Sequence, residues 1–535
     1  MPDAEPLRRL GGGRWETRDG RFRIEPQTGT WVVIDGDQTD DLGLPLVRGP
    51  FPSLTAARGA IALARGQATS ISPLAAVVEA SRATRKQPSG VVKRDEAPRR
   101  RARDPRRRLE EAAHAGADSV ARADLEALRT ITQAAVPAYL RDLRRLVDVD
   151  CGSYSKAGVD EVGTWVAERL VELGASVVGH ANEDLGDTIV GTFEGDASGP
   201  CVLLLGHLDT VFDPGTVAQR PFTIRDGRAY GPGVCDMKAG LLTALYALDA
   251  LRSVAVARAP GSAPGSDTSW LPVGRLVFIA NPDEEIGSPA SSAVIVEQAA
   301  HADAALVLEP ARENGDIVSS RKGRLDMRLH VSGRAAHAGV RPEDGRSAVL
   351  EAAHLIVALH GLDRRIPGVS VNTGVVRGGT RPNVVAESAT IEVDVRAGTR
   401  RDLKAVEAAI RRLVSAPTVD GVKSTVEVVS RHQPMERTGD TERLVRHAVG
   451  IAARLGFELG DTGTGGASDG NTTAGLGVPT IDGLGPVGGL AHAQGEYIEL
   501  DSIVPRTVLL AGLLDAIAGD PSLRTRPGDQ VTAPR

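Results

Sequence analysis

Aromatic residues make up only 3% of this 535-residue chain, and it holds just 3 cysteines. Cys151, Cys201 and Cys235 are too few and too scattered to form a disulfide framework, which excludes the small disulfide-stapled class. They fit a reducing compartment. The opening stretch MPDAEPLRRLGGGRW has no apolar core, so no secretory signal is expected. No run approaches the roughly 18 apolar residues that span a bilayer. The expectation is a soluble cytoplasmic protein with no membrane partner.

What is present is ordinary in bulk. Hydrophobic residues are 41% and charged residues 25%, as in globular proteins. The length exceeds one hydrophobic core and predicts about two to four domains. The net charge of -6 hides a strongly basic stretch from Arg82 to Arg108. That stretch, with KRDEAPRRRARDPRRR, reads as a solvated tether. It has no interleaved aromatics, so nucleic acid is not an expected partner.

The patterning predicts an order of parts. Residues 1–80 form a small α+β module, with RFRI and TWVVI as strands and SLTAARGAIALARG as a helix. Residues 81–125 are the basic linker. From residue 126 to 319 helices and strands alternate, as in an α/β doubly wound domain. APGSAPGSDTSWLPVG reads there as an exposed loop, near residues 256–274. Over residues 320–429 the order becomes β-α-β-β-α-β, the ferredoxin-like unit. The α/β pattern resumes over 430–518, and residues 519–535 read as a disordered tail.

Acids and histidines gather where strands are predicted to end. His207 and Asp209 close VLLLGHLDT, Glu284 and Glu285 follow RLVFIA, and Glu309 ends AALVLEP. The carboxyl ends of strands line the ligand crevice of an open α/β sheet. Asp236 lies in the Gly-rich loop GPGVCDMKAG, and His492 in GGLAHAQGEYIEL. Each alone has a bland explanation: a structural histidine, a helix cap, solvated surface acids. Together, crowded carboxylates at a sheet edge call for compensating cations. Asp236, Glu285 and Glu309 with a hydroxide would balance two Zn²⁺. Histidine and carboxylate donors without thiolate suit a catalytic zinc pair. Glu284 is then left over to move a proton.

These motifs, in this order, resemble the zinc exopeptidase family of glutamate carboxypeptidase, acetylornithine deacetylase, succinyl-diaminopimelate desuccinylase and aminoacylase. The resemblance spans about residues 128–518. It implies that His207 and Glu309 bind one metal, that Glu285 and His492 bind the other, and that Asp236 bridges them before a cis peptide bond. It implies that Asp209 orients His207 and Glu284 is the general acid/base. GRAAHAG resembles the family's lid motif, which implies that His337 is a candidate to polarise the scissile carbonyl, often across a dimer interface. RPNVVAESA aligns Asn383 with a substrate-binding position, and DVR places Arg396 to bind a substrate carboxylate. GTGGASDGN, with Gly465, Gly466 and Ser468, matches a substrate loop.

The implied fold is a zinc-exopeptidase-like catalytic domain with an inserted ferredoxin-like lid that also dimerises. The implied activity is hydrolysis of a peptide or N-acyl amide bond to a C-terminal amino acid, with a small-molecule substrate. Two zinc ions are implied, with cobalt or manganese as substitutes. The rival within the class is a deacylase acting on acetylornithine or succinyl-diaminopimelate. The rival outside it is an inactive metal-bearing scaffold whose N-terminal module does the binding. Residues 1–125 have no counterpart in the family pattern.

Overall fold

The run Cys201–Leu205 has no charged side chain to expose, and it forms the middle of a six-stranded sheet. The strand order is Thr480–Ile481, Ala304–Val307, Cys201–His207, Arg275–Asn281, Thr188–Glu194, Ser176–His180. The first four are parallel, and the last two pair antiparallel. This is the computed structural model of the chain, and it describes residues 7–11, 14–27, 30–39, 45–51, 61, 124–258, 270–363, 365–366 and 368–523.

Alternation along the central strand separates two cores. Val202 and Leu204 face a large cluster shared with the helices Leu125–Val147, Ala239–Arg258 and Ile503–Ala518. Leu203 and Leu205 face a smaller one, closed by Ile295 and Ala299 of the helix Ser292–Ala299. Helices on both faces of a mostly parallel sheet make the doubly wound α/β layout that the alternating pattern predicts. The stretch Val234–Arg258 is long and apolar enough to cross a bilayer by length and composition, and most of it is buried in this core.

That buried helix sits very close to the sheet. A Cβ at Gly240 would lie 1.9 Å from the Leu308 carbonyl oxygen. Gly240 therefore sets the helix against the strand end that precedes Glu309.

The inserted unit reads strand Gly323–Ser332, helix Ala348–His360, strands Ser370–Gly378 and Ser388–Ala397, helix Arg400–Ser415, strand Lys423–His432. Its antiparallel sheet has spatial order second, third, first, fourth. Leu325, Met327, Leu329 and Val331 alternate inward against both helices, which gives it a separate core. Glu351, fully buried there, accepts the backbone N–H groups of Thr418 and Val419 at 2.8 and 2.7 Å.

Contacts divide the chain into Met1–Arg101 and Ala102–Arg535. The first unit is a five-stranded antiparallel sheet in sequence order: Leu7–Gly11, Arg14–Thr17, Phe22–Gln27, Thr30–Thr39, Pro45–Phe51. Only the middle strands were expected. The others carry arginine, glycine and proline in place of the apolar alternation that marks a strand. Phe22, Ile24, Val33 and Ile61 form its core. The tether, most of the expected helix over 53–66, most of the 256–274 loop and most of the tail lie outside the described residues.

Gly240→Ala is expected to destabilise the protein by about 1–3 kcal/mol through overpacking. The check is the midpoint of chemical unfolding, which a tolerated methyl would leave unchanged.

Candidate metal centre

Register brings the strand ends together. Asn281 pairs with His207 and Val307 with Leu205, so the turns after these strands emerge side by side. His207 is the last residue of its strand, Glu284 and Glu285 form a short 3-10 turn, and Glu309 lies just past the third strand. Asp236 lies just before the buried helix in a segment whose backbone is non-helical at Asp236 and Met237, with a cis peptide between them. His492 comes from a late loop in which its own φ is 64°.

The result is two triads that share one residue. His207, Asp236 and Glu309 offer ligand atoms within 4.8 Å of one another, and so do Asp236, Glu285 and His492. His207 Nε2 lies 3.0 Å from Asp236 Oδ1 and 3.8 Å from Glu309 Oε1. His492 Nε2 lies 3.2 Å from Asp236 Oδ2 and 3.1 Å from Glu285 Oε2. Thus the two oxygens of Asp236 face different histidines.

Asp209 stands behind this pair as a hub. Its backbone oxygen is 3.0 Å and its Oδ1 3.3 Å from His207 Nδ1. Its carboxylate also accepts the backbone N–H groups of Glu284 and Glu285, each at 3.2 Å, and the Ser153 hydroxyl at 2.6 Å. One buried carboxylate therefore fixes both the histidine ring and the glutamate turn.

The electrostatics have a common cause. Burial pushes the Glu309 and Glu284 carboxyls well above the usual range, with neighbouring carboxylates adding to it and His207 opposing it. Burial would raise Asp236 as well, but hydrogen bonds from His207 and His492 hold it well below the usual range. His492, bonded to Asp236 and Glu285, is raised to about 10. His207 is raised against its own burial by Asp209 and Asp236. The carboxylates draw positive charge in between them.

The other expected site residues lie elsewhere. His337 and Asn383 are exposed neighbours on the inserted unit, where the Ala338 N–H donates to the Asn383 carbonyl at 3.0 Å. Among the described residues no hydrogen bond or ion pair joins either side chain to the triads. Arg396 is already engaged: Nε and Nη2 meet Asp394 at 3.1 and 3.3 Å, and Nη1 donates to the Gly465 carbonyl at 2.8 Å. The Ser468 hydroxyl turns inward to Asp482 at 2.6 Å, and the Gly466 carbonyl accepts from Arg321 at 3.2 Å.

A model of Peptidase family M20/M25/M40 matches residues 203–516. The chain belongs to that family. It is 30% identical over 384 residues to carboxypeptidase G2 of Pseudomonas sp. (strain RS-16), covering 71% of this chain and 88% of that protein. It is 27% identical over 324 residues to succinyl-diaminopimelate desuccinylase of Stenotrophomonas maltophilia (strain R551-3), covering 57% and 80%. Aminopeptidase PepT from Bacillus cereus ATCC 10987 shares the fold, with a TM-score of 0.60 at 23% identity over 72% of this chain and 99% of that one. The chain is thus a metal-dependent hydrolase of the M20 peptidase and amidohydrolase kind.

The residues fit the metal use of M20 proteins. The donors are imidazole and carboxylate with no thiolate. Glu285 Oε1 is buried and, among the described residues, has no hydrogen-bond partner, as a ligand oxygen reserved for a cation would.

Sequence reasoning missed several supporting residues. Asp469 accepts from Ser288 at 2.6 Å and from the Asn281 side-chain amide, tying the Gly-rich loop to the glutamate turn. Lys238 is buried and donates to the Val149 carbonyl at 3.1 Å. Glu496 is buried beneath the Asp236 loop. Each makes its contacts far along the chain, and no local pattern marks it.

Asp209→Ala is expected to weaken metal binding by about 10–100-fold without unfolding the chain. Metal analysis after dialysis, beside a circular dichroism spectrum, checks it; full metal retention would contradict the hub role.

Proposed function

We propose that this M20 protein is a two-zinc, carboxypeptidase-type hydrolase that releases a C-terminal, glutamate-like amino acid from a peptide or N-acyl amide. The observation that carries this reading is the pair of triads sharing Asp236, with Glu284 beside them as a carboxyl group belonging to neither. His207 and Glu309 would hold one ion, Glu285 and His492 the other, and Asp236 both. Ions bound there supply Lewis acidity toward a carbonyl and lower the pKa of water.

The chain's own residues do the rest. Glu284, half-buried and held by Asp209 through its backbone, takes the proton of the attacking water. It returns that proton to the leaving nitrogen, so water and amide become a carboxylate and an amine. His337 stabilises the oxyanion when the inserted unit, or a partner copy's, covers the substrate. Asn383 and Arg396 hold the substrate's carboxylate end, with the loop at Gly465, Gly466 and Ser468 shaping its floor. Arg396 would have to give up part of its contact with Asp394 to do so.

A homodimer through the inserted unit is part of this reading. Val349, Leu350 and Val357 of its first helix and Val376 of its edge strand are exposed at 44%, 50%, 76% and 57%. Such a set of apolar side chains on one element pair supports an interface. A cytoplasmic location accords with its three free cysteines.

Similarity to succinyl-diaminopimelate desuccinylase supports the second reading, a small-molecule deacylase. A substrate panel of N-acyl-glutamates, dipeptides, acetylornithine and succinyl-diaminopimelate distinguishes the two by kcat/KM. Glu284→Gln is expected to lower kcat by about 10²–10⁴-fold with bound metal unchanged. Wild-type-like turnover in that variant, or a purified chain that takes up no metal, would remove the proposal.

A further inference from the structure

Glu496 has no part in the scheme above, yet it is among the most buried charged groups in the protein, at 1% exposure. Its partners are all backbone. Oε1 accepts the N–H groups of Cys235 and Asp236 at 2.8 and 3.0 Å, and Oε2 accepts that of Gly233 at 3.1 Å. Among the described residues no lysine, arginine or histidine side chain pairs with it. The loop is shaped to receive an anion: Gly233 has φ 70°, which turns successive N–H groups to one side. A side chain at Gly233 would also meet Thr210 Cγ2 at 2.5 Å.

A buried carboxylate with no counter-cation is costly, and an apolar filler would stabilise the fold more cheaply. Its position explains what it does. Asp236, whose N–H it holds, is the one residue common to both triads. Glu496 itself lies four residues beyond His492, on the loop where Leu490 and His492 both take positive φ. That loop is pinned a second time, by Arg220 Nη1 donating to the Ala493 carbonyl at 3.2 Å. The two loops carrying Asp236 and His492 therefore meet through one side chain. Asp236 Oδ2 and His492 Nε2 are 3.2 Å apart across that junction.

We infer that Glu496 is a positioning residue for the metal centre: its carboxylate, nested in the N–H groups of Gly233, Cys235 and Asp236, sets the spacing between Asp236 and His492. This rests on the reading of those two residues as metal ligands. Removing the nest's anion frees the Asp236 backbone to shift, and the ligand oxygen shifts with it. Supporting hydrogen bonds of this kind change metal affinity by about 10–100-fold.

The test uses the full chain stripped of metal with a chelator and titrated with Zn²⁺ against a chromophoric competitor. Wild type, Glu496→Gln and Glu496→Asp are compared, and circular dichroism and melting of each metal-free protein are recorded. Glutamine keeps the size and one accepting oxygen but loses the charge and turns its NH2 group toward the remaining N–H of the nest, and aspartate keeps the charge but falls short of the N–H groups. The expected result is two zinc ions per wild-type chain and a weaker site that loses about 10–100-fold affinity in both variants. The metal-free fold and melting temperature should stay close to wild type in at least the aspartate variant. Unaltered zinc binding in both variants overturns the inference, as does full affinity in Glu496→Asp, which would make charge rather than reach the determinant. Variants whose metal-free forms both unfold make Glu496 a fold determinant and also overturn it. A wild-type chain that binds no zinc defeats the metal reading itself, a different failure from variants that bind like wild type.

Discussion

Asp236, Glu284, Glu285 and Glu309 converge on one edge of a parallel sheet, with Asp209, Asp469 and Glu496 behind them. Seven carboxyl groups in so small a volume repel one another, and burial raises the cost of each charge. The arrangement answers that repulsion in two ways. The inner four face each other and the two histidines, where positive charge is drawn in. The outer three are held by hydrogen bonds from backbone N–H, hydroxyl and amide groups. Everything else about this end of the molecule serves that division. The buried helix is brought close by Gly240, the glutamate turn is tied by Asp209, and the Asp236 loop is wound around Glu496.

The division also decides which interactions carry weight. Exposed pairs such as Arg328–Glu427 contribute little. Arg506 is different. It is fully buried and donates to the carbonyls of Gly485 and Gly315 at 3.0 and 3.1 Å, and to that of Gly483. Gly485 in turn donates to the Glu309 carbonyl at 2.9 Å. A guanidinium bonded to three backbone carbonyls thus holds the turn against which Glu309 is placed.

Much of this was legible in the sequence, and the reason is local. VLLLG, RLVFIA and AALVL are apolar runs that end abruptly in His207, Glu284–Glu285 and Glu309, so the strand ends announced themselves. The alternating residues of the inserted unit did the same for its sheet, because one face is buried and the other wet. Asp236 and His492 sit in glycine-rich loops with no periodicity, so the sequence marked them only as candidates and the family resemblance assigned their roles. Glu496, Asp469 and Arg321 were illegible. Their partners lie far away in sequence, 260 residues in the case of Glu496 and Asp236, and a lone acid reads like any surface acid. Arg396 was legible as a cation but not as one already paired with Asp394, its neighbour two residues back on the same strand face.

The join between the inserted unit and the sheet domain shows which contacts govern its placement. The outgoing strand Ile317–Arg321 and the returning segment at Met435 bond to each other, Arg321 N–H to Met435 O at 2.9 Å and Met435 N–H to Arg321 O at 3.1 Å. Gly323 is required at this crossing, since a Cβ would lie 2.6 Å from the Pro434 nitrogen. Arg321 is buried here and pairs with Asp482 at 2.6 Å, the same carboxylate that receives Ser468. Breaking one partner of such a buried pair costs about 3–5 kcal/mol. Farther out, Arg396 reaches the Gly465 carbonyl across an exposed contact, worth about 0.5–1.5 kcal/mol. The buried crossing at Arg321 is therefore the stronger join, and through Asp482 and the Gly466 carbonyl it ties the Gly-rich loop to the strand that leads into the inserted unit.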